Sequence, residues 1–216
     1  MVPFHEHLLD RVRPIWDAIL HHRFLAAVAD NSIDRQTFVT WMQQDYLFVR
    51  EAVPLMALTV SKAPVSLRRF LSEALIGLHN ELDLFEALAA EHGVTFHAVE
   101  MAPTCHAYHT FLLATGHTCS FPEKLTTLYG AEKAYLDAWV WVKTHQRAAS
   151  PWQRFIDHWS SPGFAGYVDT LARHLDDAAA RCSDDERARM ETLFRDVARY
   201  EYRFWEMAAT GERWDA

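Results

Sequence analysis

The stretch Met190-Glu191-Thr192-Leu193-Phe194-Arg195-Asp196-Val197-Ala198-Arg199-Tyr200-Glu201-Tyr202-Arg203-Phe204-Trp205-Glu206-Met207-Ala208 sets Met190, Leu193, Phe194, Val197, Phe204, Trp205 and Ala208 at the spacing of one face of a long helix. Glu201 falls on that face, where a leucine would be expected. The same interruption recurs in two further segments: Asp45 fills the buried slot among Phe38, Trp41, Phe48 and Ala52, and Glu132 fills it among Leu125, Leu128, Tyr135 and Trp139. A carboxylate buried without a partner costs several kcal/mol or takes up a proton, its pKa rising by roughly 3–5 units. Acids turned inward from three helices predict a polar pocket within a helical shell, with groups poised for acid and base chemistry.

The rest of the chain agrees with a helical reading. It has only 7 glycines in 216 residues, and no segment alternates strictly enough to support a sheet. The expected class is all-α, one domain over residues 1–216, with helices near 4–22, 34–61, 64–92, 103–115, 121–146, 151–158, 161–181 and 183–208 and a short helical turn near 23–29. Start signals fix several of them: Asp30-Asn31-Ser32 breaks the chain before the second long helix, Ser161-Pro162 opens another, and Ser183 to Glu186 has capping-box spacing. Pro54 removes a backbone bond one turn or so beyond Asp45 and is expected to bend that helix.

Composition narrows the function classes. A net charge of −8 without any run of Lys or Arg argues against nucleic acid or an anionic membrane as partner, and favours a small molecule. No apolar run nears the roughly 20 residues that span a bilayer, and Met1-Val2-Pro3-Phe4-His5-Glu6 lacks the features of a leader, so a cytoplasmic protein is expected. Cys105, Cys119 and Cys182 are far apart and in no C-x-x-C pattern, which predicts reduced structural thiols. A dimetal centre would call for Glu-x-x-His pairs, and the chain has none; His106 and His109 form its single His-x-x-His, so neither metal nor cofactor is expected. His21, His22, His92 and His145 fall near helix ends, where exposure is expected.

The 8 Trp, 7 Tyr and 13 Phe exceed what a small helical core requires, and they gather near the acids: Tyr46 and Phe48 flank Asp45, Tyr135 follows Glu132, and Tyr200, Tyr202, Phe204 and Trp205 surround Glu201. Such rings would hold a flat heteroaromatic ligand while carboxylates bond its edge. Glu81, in phase with Ala74, Leu78 and Phe85, is a reserve acid. For Glu132 the competing reading is an ion pair with Lys133 or Arg203.

Gln44-Asp45-Tyr46-Leu47-Phe48, Pro103-Thr104 followed by Tyr108, and Tyr200 to Met207 together resemble the TenA, or thiaminase II, family, in order and over nearly the whole chain. The resemblance implies that family's heme-oxygenase-like helical fold and its hydrolytic salvage of the thiamin pyrimidine. It implies that Asp45 grips the amidine edge of the pyrimidine, that Glu201 handles protons during C–N cleavage, and that Tyr108 and Tyr135 line the pocket. Phe48 and Trp159 stand where many members carry tyrosine.

The family's cysteine branch carries a Pro-Cys pair where this chain reads Gly130-Ala131-Glu132-Lys133-Ala134-Tyr135. The pattern is similar instead to the branch that lacks the thiol and sets a glutamate beside its slot. That resemblance implies action on 4-amino-5-aminomethyl-2-methylpyrimidine and its N-formyl derivative; since such hydrolysis needs a delivered water, Glu132 is expected to activate it. It also implies a homodimer or homotetramer, for which Trp139 and Trp141 are either interface or core. Competing expectations are a pyrimidine-binding protein without turnover and a metal-dependent oxidase on the same fold.

Overall fold

A computed structural model describes residues 2–215. The described residues form helices α1 (Phe4–Arg11), α2 (Arg13–Leu20), α3 (Arg23–Ala29), α4 (Arg35–Lys62), α5 (Val65–His92), α6 (Pro103–Thr118), α7 (Phe121–His145), α8 (Gln153–Trp159), α9 (Pro162–Ala179) and α10 (Asp184–Thr210). No strand occurs among them, so the all-α expectation holds.

The local signals act as their chemistry requires. Asn31 takes the left-handed conformation, with φ 59, and the Ser32 amide donates to Asp30 at 2.9 Å, which turns the chain before α4. Asp34 then caps α4 by accepting from the Thr37 amide at 3.0 Å. Ser161 caps α9 through the Phe164 amide at 3.1 Å, with Pro162 in the first turn. At α10, Glu186 accepts the Ser183 amide at 2.9 Å while Ser183 Oγ accepts the Glu186 amide at 3.3 Å, a closed capping box. Gly93 ends α5 at φ 63, and the following Val94 amide returns to the Ala89 carbonyl at 2.8 Å.

Two boundaries differ from the sequence reading. The expected helix over 4–22 is split at Val12, whose φ of −115 and ψ of 11 lie outside the helical range. Pro14 is the reason: it has no amide to give to the Asp10 carbonyl, and its ring would press on that carbonyl in a continuous helix. The fourth long segment runs to Thr118, beyond the expected 115. Pro54, by contrast, lies within one continuous helix on its exposed side.

Contacts group the described residues into two compact units: the chain through Ile33 with Pro122–Glu206, and Asp34–Phe121 with the chain from Met207 onward. In the first unit α1 packs on α9, and the His5 amide and ring both bond the Asp176 carboxylate, at 2.9 and 2.8 Å. Trp16 and Tyr129 each stack on Phe194, with centroids 5.6 and 6.0 Å apart. In the second unit α4 packs along α5 and α6, and Phe38, Trp41 and Phe85 form its buried aromatic core.

Each unit has a close approach at a helical glycine. A Cβ on Gly130 would sit 2.9 Å from Val197 Cγ1 and 3.3 Å from the Phe194 ring, whereas one on Gly116 would sit 2.7 Å from Leu55 Cδ1. Val197 is β-branched and fully buried, so it has little room to yield; Leu55 is half-buried and can rotate its terminal methyl away. Gly130→Ala is therefore expected to destabilise the protein by about 1–3 kcal/mol despite its better helix propensity. Gly116→Ala is expected to be near neutral. Urea denaturation midpoints of the two variants check this; equal midpoints would show that α7 and α10 are not in tight contact at Gly130.

Candidate active site

In the second unit the candidate residues are set by a side-chain clamp next to Asp45. The amide of Gln44 donates from Nε2 to the Glu100 carbonyl at 2.9 Å and accepts the Ala102 amide at 2.8 Å through Oε1. The tail adds a second hold on α6: the Thr104 amide and hydroxyl donate to Glu212 at 2.8 and 3.1 Å, and Trp214 Nε1 donates to the Met101 carbonyl at 2.8 Å. With the start of α6 fixed against α4, Tyr108 is buried and its ring meets Phe48 at 4.8 Å. Asp45 is fully buried, at 0% exposure, as its helical phase predicts. Tyr46, expected to flank it, turns the other way; it stacks on Phe96 at 3.8 Å and donates to Glu86 at 3.0 Å. Glu81 is half-buried on α5.

In the first unit the rings form a continuous wall. Tyr135 stacks on Trp205 at 5.6 Å and meets Trp159 edge-on at 5.6 Å; Trp159 stacks on Trp139 and Phe155, each at 5.5 Å. Trp139, left open between core and interface, is fully buried, while Trp141 is half-buried and stacks on His145 at 4.2 Å. Glu201 is buried at 1% exposure, one turn before Trp205 on α10. Glu132 is only half-buried, less than its phase suggested, and one oxygen accepts from the Tyr167 hydroxyl at 3.1 Å. Lys133, considered as a partner for Glu132, gives its ammonium to Asp137 at 2.6 Å.

Cys105 and Cys182 fit a structural role. Cys105 is buried, its Sγ donates to the Gln44 carbonyl at 3.5 Å, and burial followed by the nearby Asp45 carboxylate pushes its pKa far above the ordinary thiol value. Burial likewise raises the Cys182 thiol. A thiol so placed is a poor source of thiolate. Among the described residues no group of three or more His, Cys, Asp or Glu side chains is arranged to hold a metal ion, and no helix is long and apolar enough to cross a membrane. His106 of the His-x-x-His pair packs edge-on against Trp214 at 5.9 Å.

Sequence reasoning missed Tyr167 and His22. Tyr167 lies in Gly163-Phe164-Ala165-Gly166-Tyr167, where nothing local marks it as a partner of a residue 35 positions away. His22 was expected to be exposed near a helix end and is instead buried. Its Nδ1 accepts the Phe24 amide at 3.2 Å as the cap of α3, so the ring proton resides on Nε2 and is donated to Glu206 at 3.1 Å. Phe24 in turn packs on Trp205 at 5.3 Å. His22 thus ties α3 to the turn of α10 that follows Glu201.

A family model described as the TENA/THI-4/PQQC family matches residues 9–211. The chain is 28% identical over 215 residues to an aminopyrimidine aminohydrolase of Halalkalibacterium halodurans, covering 96% of each. It is 23% identical to a probable bifunctional TENA-E protein of Glycine max, over 93% of this chain and 90% of that one. A solved TenA homologue from Pyrococcus furiosus matches with a TM-score of 0.93 at 36% identity, over 95% of this chain and 99% of that one. A domain with a heme oxygenase-like fold from Shewanella denitrificans matches with a TM-score of 0.69 at 14% identity, over 95% and 92% of the two chains, a likeness of fold alone. The expected heme-oxygenase-like helical fold is what these neighbours share.

His22 gives a pH signature. Burial lowers its pKa below 6.5, with the Glu206 hydrogen bond and charge opposing that shift. The unfolded chain therefore binds the proton more readily, so this contribution to stability is complete above pH 6.5 and declines as pH falls toward the depressed folded value. His22→Asn keeps a capping side chain and removes the titration. Its stability, from urea midpoints, should fall less steeply than that of the parent between about pH 7.5 and 5.5; half-buried His109, also lowered by burial, leaves a residual slope. An unchanged slope would show that His22 does not titrate on unfolding.

Proposed function

We propose that this chain, which belongs to the TENA/THI-4/PQQC family, is a hydrolase of thiamin-pyrimidine salvage. It cleaves the exocyclic C–N bond of 4-amino-5-aminomethyl-2-methylpyrimidine, deformylates the N-formyl derivative, or does both, by carboxylate acid/base catalysis without a cysteine nucleophile. The observation that carries the reading is the α7 sequence Gly130-Ala131-Glu132, which offers a carboxylate and no thiol where the cysteine branch bears its nucleophile. The raised pKa of buried Cys105 supports it, as do relatives named aminopyrimidine aminohydrolase and TENA-E protein.

On this reading Asp45 takes the amidine edge of the ring by charge-assisted hydrogen bonds, and Phe48, Tyr108, Tyr135 and Trp159 supply aromatic walls, with Glu81 an accessory contact. Glu132 takes a proton from water as the water oxygen bonds to the exocyclic carbon; the C–N bond breaks, and the leaving nitrogen receives a proton from Glu201. The products are the hydroxymethyl pyrimidine and ammonia. With the formyl compound, water adds to the carbonyl carbon, the amide C–N bond breaks, the leaving amine takes a proton from Glu201, and formate and the aminomethyl pyrimidine are the products. Water is the only co-reactant, and the scheme uses no metal or cofactor. The proposed assembly is a homodimer or homotetramer; exposed Val65 and Ile76 on α5, at 78% and 60%, are apolar surface of the kind a second copy would cover.

Glu201→Gln keeps the shape of the side chain and removes its ionisation. Turnover of the aminomethyl pyrimidine should fall by roughly 10²-fold or more while the hydroxymethyl product still binds. Steady-state kinetics with calorimetry of product binding decides it, and a near-normal rate would take Glu201 out of the mechanism.

The substrate assignment is tested with thiamin, the aminomethyl pyrimidine and the formyl derivative, comparing the parent with a variant in which Cys105, Cys119 and Cys182 are all alanine. Ammonia or formate release should stay within a few-fold of the parent, and thiamin should be cleaved poorly. Binding of the pyrimidines without turnover would instead make the chain a binding protein. A folded but inactive triple variant, or a pyrimidine trapped on a cysteine, would overturn the carboxylate mechanism.

A further inference from the structure

Tyr167 reaches Glu132 from a helix that the family resemblance left without a role. The geometry of α9 explains how. Ser161 caps the helix through the Phe164 amide at 3.1 Å and fixes its phase, so that Val168, Leu171, Ala172 and Leu175 form the buried stripe. Tyr167 stands on the shoulder of that stripe, half-buried, four residues before Leu171. Its ring packs against Phe164, one turn earlier, with centroids 6.0 Å apart. From that shoulder the hydroxyl donates to Glu132 Oε1 at 3.1 Å, joining α9 to α7.

The bond acts on a flexible side chain. Glu132 is half-buried and carries three rotatable bonds, so helix geometry alone leaves its carboxylate several accessible positions. The neighbouring cation is committed elsewhere, since Lys133 bonds Asp137 at 2.6 Å, and Asp137 also accepts from Trp16 Nε1 at 2.9 Å. A rigid phenol held by ring packing restricts a carboxylate more tightly than a flexible lysine would, because the tyrosine has few torsions of its own to freeze.

We propose that Tyr167 is a positioning residue for the hydrolysis: its hydroxyl holds the Glu132 carboxylate in the rotamer that accepts a proton from the attacking water. Tyr167 keeps its own proton throughout and acts only through Glu132. This rests on the reading of Glu132 as the group that activates water.

Tyr167→Phe removes a single oxygen. It should lower kcat for the aminomethyl pyrimidine by roughly 10-fold or more, leave KM within about two-fold, and leave the urea midpoint nearly unchanged. In a Glu132→Ala background the same change should have no further effect on the residual rate, because the carboxylate that Tyr167 positions is gone. Parent-like kcat in Tyr167→Phe alongside a strongly impaired Glu132→Ala would overturn the positioning role alone. Additive losses in the double variant, or loss of fold on removing the hydroxyl, would overturn it too, by assigning Tyr167 a role independent of Glu132. A fully active Glu132→Ala would remove the Glu132 reading first and this inference with it.

Discussion

The crossing of α7 and α10 at Gly130 sets the terms for the first unit. With no side chain on Gly130, Val197 and Phe194 occupy the space that a Cβ there would need, 2.9 and 3.3 Å from its position, so the helix register that meets there tolerates only a glycine without adjustment. The two acids of the proposed mechanism lie a short distance along each helix from this point: Glu132 two residues after Gly130, and Glu201 four after Val197. Tyr135 and Trp205, each about one turn further on, then stack at 5.6 Å, so the aromatic wall repeats the register that the glycine contact sets. A shift of one residue in either helix would lose the close approach and this stack together.

The second unit reaches a comparable result by polar means. Gln44 precedes Asp45, so the residue that fixes the start of α6 and the residue that carries the buried acid belong to the same turn of α4. Buried amides of this kind have to be satisfied, and leaving the Ala102 amide without its acceptor would cost about 1–3 kcal/mol. The tail reinforces the arrangement through Glu212 and Trp214. Tyr108 is thereby held beside Phe48 by bonds made four or more residues upstream, at the beginning of its helix.

What the sequence made legible was whatever is governed by neighbours within a turn or two. Periodic stripes located the long helices, and Asp45 and Glu201 stood out because a carboxylate at a buried phase contradicts its surroundings; both are buried as read. Caps at Ser161 and Ser183 were readable for the same reason. Pro14 is as local a signal as these, and the break at Val12 is its direct effect, whereas Pro54 sits inside a continuous helix. The remaining misses depend on distant partners. His22 looks like a helix-end histidine until Glu206 is brought to it, Tyr46 looks like a pocket residue until Phe96 stacks on it, and Glu132 cannot be connected to Tyr167 by any local pattern.

The replacement of a thiol by carboxylates also has a physical logic within the proposed mechanism. A cysteine nucleophile requires a site that lowers its pKa, with positive charge or a helix N-terminus nearby. The environment of Cys105 does the reverse, since burial and the adjacent Asp45 carboxylate both favour the neutral thiol. On the proposed reading, an acid that binds the ring edge is therefore poorly compatible with a thiolate beside it. Carboxylates that only carry protons need accurate placement more than high nucleophilicity. That is consistent with the first unit, where Glu132 is reached by the hydroxyl of a ring that packing already holds.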